Sequence, residues 1–444
     1  MSRNVVVTGV GAVTALGVGA QALWDGLCAG RSGLRPIARF DASGFHTSIG
    51  GEVPEGFSAR DFVPKHYRKA TKVMARDIEL AVAAAKEAAE DARLVTRGML
   101  AEDATEGTTY PLARMGCHIG AGLIAAESDE LAAALSTAST GAGEDARVDL
   151  DAWGRTGMDN LTPLWMLKYL PNMLACHVTI IHGCEGPSNT ITCTEASGLL
   201  CAGESTRVIE RDDADLCFTG AAESKLNLMG LLRMQMAGRL ASTPPGATDA
   251  SAYIKPFDPT SAGGFIGEGA GILVLEEQQS AAKRGATPYA RVAGVGAGHS
   301  PRRPVAGEAT IDDGFLAACE NALADAGLRG AELDAVVVTG TGVPGLDAGE
   351  GLALAHVLGA HAAACPVITL APSIGNTVAG AGGLLAVVAS LMLRHQRLPA
   401  RLHTGTPAHV HAHAAPSQAR SLRHVLAVTG SLGGQNAAVV LSRV

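Results

Sequence analysis

The sequence predicts a layered α/β protein built from two similar halves, and two observations carry that expectation. The 444-residue chain is 47% hydrophobic but only 4% aromatic, with 55 glycines and abundant alanine. Such a core packs small-residue helices closely onto sheets rather than wrapping around rings. In addition, one unit occurs twice. In the first copy a helix-like run ending Ala88-Ala89-Glu90-Asp91-Ala92-Arg93-Leu94 leads, after a polar loop, into the strand-like Gly116-Cys117-His118-Ile119-Gly120-Ala121-Gly122. In the second, Ala322-Leu323-Ala324-Asp325-Ala326-Gly327-Leu328 leads into Ala335-Val336-Val337-Val338 and then Thr339-Gly340-Thr341-Gly342.

Both copies continue alike. A short strand, Thr190-Ile191-Thr192, feeds the segment Glu195-Ala196-Ser197-Gly198, and Val367-Ile368-Thr369 feeds Asn376-Thr377-Val378-Ala379-Gly380. The two small-residue segments read as buried helices. The halves are expected to span residues 1–281 and 282–444. They divide at the charged, glycine-ended Ala281-Ala282-Lys283-Arg284-Gly285, after the strand-like Ile272-Leu273-Val274-Leu275. Residues 129–160, rich in Ala, Ser, Thr, Gly and acids, read as a polar surface excursion, as do residues 403–418.

The formal charge of −8, with Lys and Arg scattered, leaves no basic stripe for a phosphate backbone, so nucleic acid is not an expected partner. The start, Asn4-Val5-Val6-Val7, reads as a strand rather than a signal peptide, and no apolar run of about 18 residues follows. A cytoplasmic protein with no membrane partner is expected. Nine cysteines, an odd number without C-x-x-C spacing, fit reduced and mostly buried thiols better than a disulfide frame or a zinc site.

Standard catalytic motifs are mostly missing: there is no G-x-x-x-x-G-K-[ST], no H-E-x-x-H and no G-x-S-x-G. Gly340-Thr341-Gly342-Val343-Pro344-Gly345 matches a dinucleotide turn only weakly, because Pro344 interrupts it and no acidic ribose partner follows. His409, His411 and His413 alternate, but no carboxylate or cysteine neighbours them, so a solvated loop is expected rather than a metal site. No metal and no bound cofactor are expected.

Beyond these negatives, blocks along nearly the whole chain resemble β-ketoacyl-acyl-carrier-protein synthases. Val5-Val6-Val7-Thr8-Gly9-Val10-Gly11 is similar to their opening strand, and Arg39-Phe40-Asp41 to a segment that follows it. Gly186-Pro187-Ser188 resembles the approach to their nucleophile, with Gly220-Ala221-Ala222-Glu223 and Gly238-Arg239-Leu240 beyond it. The most specific block runs from Pro256-Phe257-Asp258 through Gly267-Glu268-Gly269-Ala270-Gly271 to Leu273-Val274-Leu275-Glu276-Glu277, and Gly433-Gly434-Gln435-Asn436 resembles the closing glycine loop. The resemblance implies the thiolase fold, two pseudo-symmetric halves in a five-layer αβαβα sandwich, in a dimer. It also implies substrates carried on the phosphopantetheine of an acyl carrier protein.

The same resemblance finds the family's catalytic groups replaced. The nucleophilic cysteine, which needs a helix N-terminus to lower its pKa, falls on Glu195. The two histidines fall on Thr339, in Thr339-Gly340-Thr341, and on Thr377. The lysine before the second histidine falls on Pro372, and the phenylalanine gating the acyl pocket on Gly430. The resemblance therefore implies a non-condensing subunit of the chain-length-factor type that pairs with an active ketosynthase and shapes the acyl tunnel in type II polyketide, polyene or fatty acyl assembly. One alternative is a malonyl-carrier-protein decarboxylase or atypical acyltransferase using Glu195 or Cys193, and another is a scaffold that recruits carrier protein. Glu195 is alternatively a cap for the buried helix that follows, held by backbone N–H groups.

By resemblance, residues 188–194 pair across the dimer axis. The tunnel is closed by Leu123 and Ile124 after Gly122, by Pro163, Leu164 and Trp165, and by Asn172 and Met173. Trp165, one of three tryptophans, is either a stiff plug in that tunnel or ordinary core beside Met166 and Leu167.

Overall fold

The computed structural model describes residues 3–101, 106–301, 310–402 and 405–444. In the first half five strands form one sheet: β1 (Val5–Thr14), β2 (Met115–Gly120), β3 (Ser188–Asn189), β4 (Leu216–Glu223) and β5 (Gly269–Glu277). The second half supplies β6 (Ala290–His299), β7 (Ala335–Val338), β8 (Val367–Thr369), β9 (His424–Gly430) and β10 (Gln435–Ser442). Outward from the seam the strands run β1-β5-β4-β2-β3 on one side and β6-β10-β9-β7-β8 on the other, the same order twice. In each half the outer three strands are parallel and the two nearest the seam antiparallel. At the seam β1 and β6 pair through Val6 with Arg291 and Val7 with Ala290.

Six helices complete the repeat: α1 (Arg76–Asp91), α2 (Met173–His182), α3 (Ser197–Glu210), α4 (Asp313–Ala326), α5 (Pro344–Leu358) and α6 (Gly380–His395). α1 and α2 cover the first sheet, α4 and α5 the second, and α3 and α6 lie between the two sheets. Five layers result, the thiolase-type α/β sandwich that the sequence resemblance implied. The central layer must be apolar on every side, and α6 is: every residue from Gly380 to Leu393 is buried. A carboxylate or lysine anywhere along it would face a sheet or another helix.

The duplication extends to irregularities. The β1–β5 ladder shifts register between Val7 and Gly9, and the β6–β10 ladder shifts between Val292 and Gly294. Each bulge is followed by two glycines on which an outer helix lies. A Cβ at Gly9 or Gly11 would stand 2.3 or 2.0 Å from the carbonyl oxygens of Ala88 and Ala84. At Gly294 or Gly296 it would stand 2.3 or 2.2 Å from those of Ala322 and Ala318. The repeated Val-x-Gly-x-Gly thus sets how closely α1 and α4 approach their sheets.

Three expectations need correction. Residues 190–192 are not a strand: pairing stops at Ser188–Asn189, after which Ile191 accepts one bond from the Ala121 amide. Residues 129–160 lie at the surface but are folded, with helices Ser128–Thr137 and Leu150–Arg155 and the paired strands Ser139–Thr140 and Arg147–Val148. Of the 403–418 stretch, His403 and Thr404 lie outside the described residues; the rest packs inward through Val410 and Ala412. Their burial turns His409, His411 and His413 to the other side, and no metal-binding cluster occurs among the described residues. Among those residues, too, no helix is long and apolar enough to cross a membrane.

Candidate functional site

Two pseudo-equivalent elbows meet at the start of the central helices. Thr194 (φ 43°) precedes Glu195 at the entrance to α3, and Val378 (φ 48°) follows Thr377 at the entrance to α6. Left-handed backbone at two β-branched residues is strained, costing about 1–3 kcal/mol each, and marks both turns as held by their surroundings.

Glu195 is 1% exposed. Its Oε1 accepts from the Asn376 amide at 3.1 Å and its Oε2 from the Leu432 N–H at 3.0 Å, and that N–H is shared with the Thr194 hydroxyl at 3.1 Å. Burial opposes ionisation, but the charge of Arg239 and the hydrogen bonds from Asn376, from its own N–H and from Thr194 together hold the carboxyl below its ordinary value. It is an ionised, fully engaged carboxylate. Backbone N–H groups hold this carboxylate, its own among them, and Asn376 and Leu432 add hydrogen bonds from the second half of the chain.

Thr339 and Thr377 are also buried, and Thr377 follows the Asn376 that bonds Glu195. Thr339 hydrogen-bonds the Thr429 hydroxyl at 3.0 Å, on the strand that leads into the Gly430–Gly434 loop. The Thr377 hydroxyl has no partner among the described residues. Asn376, the residue before Thr377, and the loop at Leu432 are thus joined to Glu195, and none of the side chains of Glu195, Thr339 and Thr377 can serve as a neutral-pH proton acceptor in the way an imidazole does. Pro372 is buried in the short helix Ala371–Ile374, and Gly430 ends β9. Cys193, half-buried against the central core, has its thiol pushed up by burial and is no activated nucleophile.

Sequence reasoning passed over Asp347. Its carboxylate, 1% exposed, accepts from the Thr341 N–H (3.1 Å) and hydroxyl (2.7 Å), the Gly342 N–H (2.9 Å) and the Phe257 N–H (3.0 Å). It ties the Thr339-Gly340-Thr341-Gly342 turn to the Pro256-Phe257-Asp258 segment, and it takes up the Thr341 and Gly342 amides of that turn. The signal was a carboxylate five residues after the end of a glycine turn, inside a helix.

Within a single chain the expected tunnel residues differ in burial. Ile124 is buried in the outer core of the first half and Met173 packs partly against it, whereas Leu123 and Leu164 are 63% and 79% exposed. Trp165 is half-buried, edge-on to Tyr169 with ring centroids 5.7 Å apart. Its neighbours Met166 and Leu167 are exposed, so the turn Trp165–Tyr169 is not ordinary core.

The family models for "Beta-ketoacyl synthase, N-terminal domain" and "Beta-ketoacyl synthase, C-terminal domain" match residues 2–281 and 289–405. A 3-oxoacyl-[acyl-carrier-protein] synthase 2 from Coxiella burnetii is 30% identical over 451 residues, covering 100% of this chain and 99% of that protein. The protein of the same name from Staphylococcus aureus is 28% identical, covering 100% and 99%. Among solved structures, the ishigamide ketosynthase/chain length factor superposes with a TM-score of 0.82 at 27% identity, covering 100% of both chains. A type II PKS acyl-carrier protein in complex with its ketosynthase gives 0.81 at 22%, again with full coverage; at that identity it bears on the fold alone.

Proposed function

Because the chain belongs to the β-ketoacyl synthase family, we propose that it is a non-condensing member of the chain-length-factor type, which pairs with an active ketosynthase in polyketide or fatty acyl assembly. The observation that carries this reading is the state of Glu195. A condensing site needs a nucleophile and free donors for the carbonyl oxygen of a thioester. Here the residue at the helix entrance is a carboxylate, and the nearby Leu432 N–H is spent on it. Acyl transfer to it would give a mixed anhydride, with no histidine at Thr339 or Thr377 to assist.

Charge also opposes the decarboxylase alternative. A malonyl carboxylate about 4 Å from ionised Glu195 would be repelled by about 4 kcal/mol at an effective dielectric near 20. The Cys193 alternative lacks an activated thiol. Support for a partner comes from the surface: β3 ends its sheet with Ser188 and Asn189 exposed, and Leu123, Leu164 and Met166 are uncovered large apolar side chains. An open edge and uncovered apolar residues are what a subunit boundary supplies. The ishigamide ketosynthase/chain length factor has the same architecture. On this reading the carrier protein delivers its phosphopantetheine-bound chain to the partner, and this chain contributes wall.

The test is co-expression with an intact ketosynthase, sized in solution, alongside assays of the chain alone. A stable one-to-one heterodimer is expected, with neither condensation nor carbon dioxide release from malonyl-carrier protein by this chain. A homodimer that ignores the synthase, or steady carbon dioxide release abolished by Glu195→Ala, would overturn the proposal.

A further inference from the structure

A second polar site lies outside the elbow. A cavity of about 200 Å³ opens between the start of α1, the segment after β2 and the Trp165–Tyr169 turn, lined by Asp77, Glu79, Glu127 and Glu130 and by Arg39, Arg76 and Lys168 among others. Its cations are engaged. Arg39 and Arg76 both bind the fully buried Glu268, at 3.0 and 2.8 Å, and Arg76 also reaches Glu79 at 3.3 Å. Lys168 pairs with Glu130, and Lys225, behind the wall, pairs with Glu223. Asp77 and Glu127 are left without an ion-pair partner among the described residues.

Asp77 is the telling one. It is 2% exposed, and its Oδ1 has no hydrogen-bond partner among the described residues. Burial pushes its carboxyl up to about 7, with Lys225 pulling it down and Glu223 raising it further. Among the described residues, the Glu127 side chain accepts only a long 3.5 Å contact, from the Asn227 amide. An orphaned acceptor and an unneutralised carboxylate facing one cavity are completed by a single group that carries positive charge and several donors.

We propose that this cavity binds a primary ammonium group, with Asp77 and Glu127 as its acceptors. A metal ion fits less well, because no metal-binding cluster occurs here or elsewhere among the described residues. The ammonium has two sources: a free small amine, or the amino end of a carrier-bound chain. Ile124 and Ala125 line the cavity. Ile124 belongs to the proposed tunnel wall, so the second source rests on the function proposed above, whereas the site itself does not.

The probe is n-butylammonium, titrated by calorimetry into the full chain, alone or with its partner, at alkaline pH where Asp77 is ionised. Saturable binding is expected, weakened about tenfold or more in Asp77→Asn and in Glu127→Gln, with n-butanol not binding. No saturable heat, equal binding of n-butanol, or unchanged affinity in the variants overturns the proposal. Should Asp77→Asn fail to fold, Glu127→Gln at the more accessible side decides alone. With the reconstituted pair, a preference for ω-aminoacyl over plain acyl carrier thioesters that Glu127→Gln removes assigns the ammonium to the chain. Binding of n-butylammonium without that preference assigns it to a free amine. If no heterodimer forms but n-butylammonium still binds, the partner reading fails and the site stands.

Discussion

Glu195→Gln is the most informative single substitution, because it keeps shape and removes charge. The parent carboxylate accepts from Asn376 on one oxygen and from Leu432 on the other, in a site from which water is excluded. Glutamine offers one acceptor, and its NH₂ must face an N–H donor on the other side. One charge-assisted bond is lost and a buried donor is left opposed, about 1.5–3 kcal/mol together, and Arg239 loses its countercharge. The sign with pH follows from the depressed carboxyl. Its contribution is fully present above the unfolded-state value of about 4.3 and is lost as pH falls through the lower folded-state value. Urea midpoints followed by tryptophan fluorescence at about pH 7 and about pH 3.5 check both points. The variant should be clearly weaker at neutral pH, and the gap to the parent should narrow in acid. Equal stability at neutral pH, or a gap that does not narrow, would refute the account of Glu195 as an engaged anion.

Other outcomes follow from the same geometry. Gly122→Ala places a Cβ within 1.9 Å of Glu223 Oε1, on a carboxylate whose Oε2 accepts from the Ala379 N–H at 2.8 Å; a loss of about 1–3 kcal/mol in thermal or urea unfolding is expected. Asp347→Asn leaves two of four buried donors facing an NH₂ and should cost about 3 kcal/mol, read the same way. Trp165→Ala in the reconstituted pair should lengthen the product distribution more than it lowers turnover, since each added buried methylene gains about 0.8 kcal/mol, as product mass would show. Lower yield at unchanged length would remove Trp165 from the tunnel wall.

The layered halves were legible because their signals are local. A helix ending at Asp91 and one ending at Ala326, each followed by an apolar strand, repeat within short windows, and period alone exposes them. The duplicated Val7-Thr8-Gly9-Val10-Gly11 and Val292-Ala293-Gly294-Val295-Gly296 was equally local, and only the structure gave it a meaning, as bulges on which outer helices rest. The partners of Glu195 are another matter. Asn376 and Leu432 lie 181 and 237 residues away, so no window of sequence shows whether its carboxylate is satisfied or exposed. The cavity at Asp77 is hidden for the same reason, since it joins the start of α1 to the segments around residues 127, 168 and 225.

The retained architecture explains how such a site could change its side chains without losing its shape. The crossing of the central helices is set by backbone: a Cβ on Gly198 would stand 2.3 Å from the Gly383 nitrogen, so α3 and α6 touch main chain to main chain just inside the two elbows. Neither glycine supplies chemistry. The groups at the elbows sit on that contact and are free to vary so long as each new polar atom is satisfied, a condition Glu195 meets through Asn376 and Leu432, and Thr339 through Thr429. Thr377 does not meet it, for its hydroxyl is buried without a partner among the described residues. Thr377→Val, which removes that atom at nearly constant volume, should therefore leave the protein as stable or more stable in urea unfolding. A loss comparable to that of Asp347→Asn would mean that the hydroxyl has a partner in solution and that the elbow is still built around a polar group.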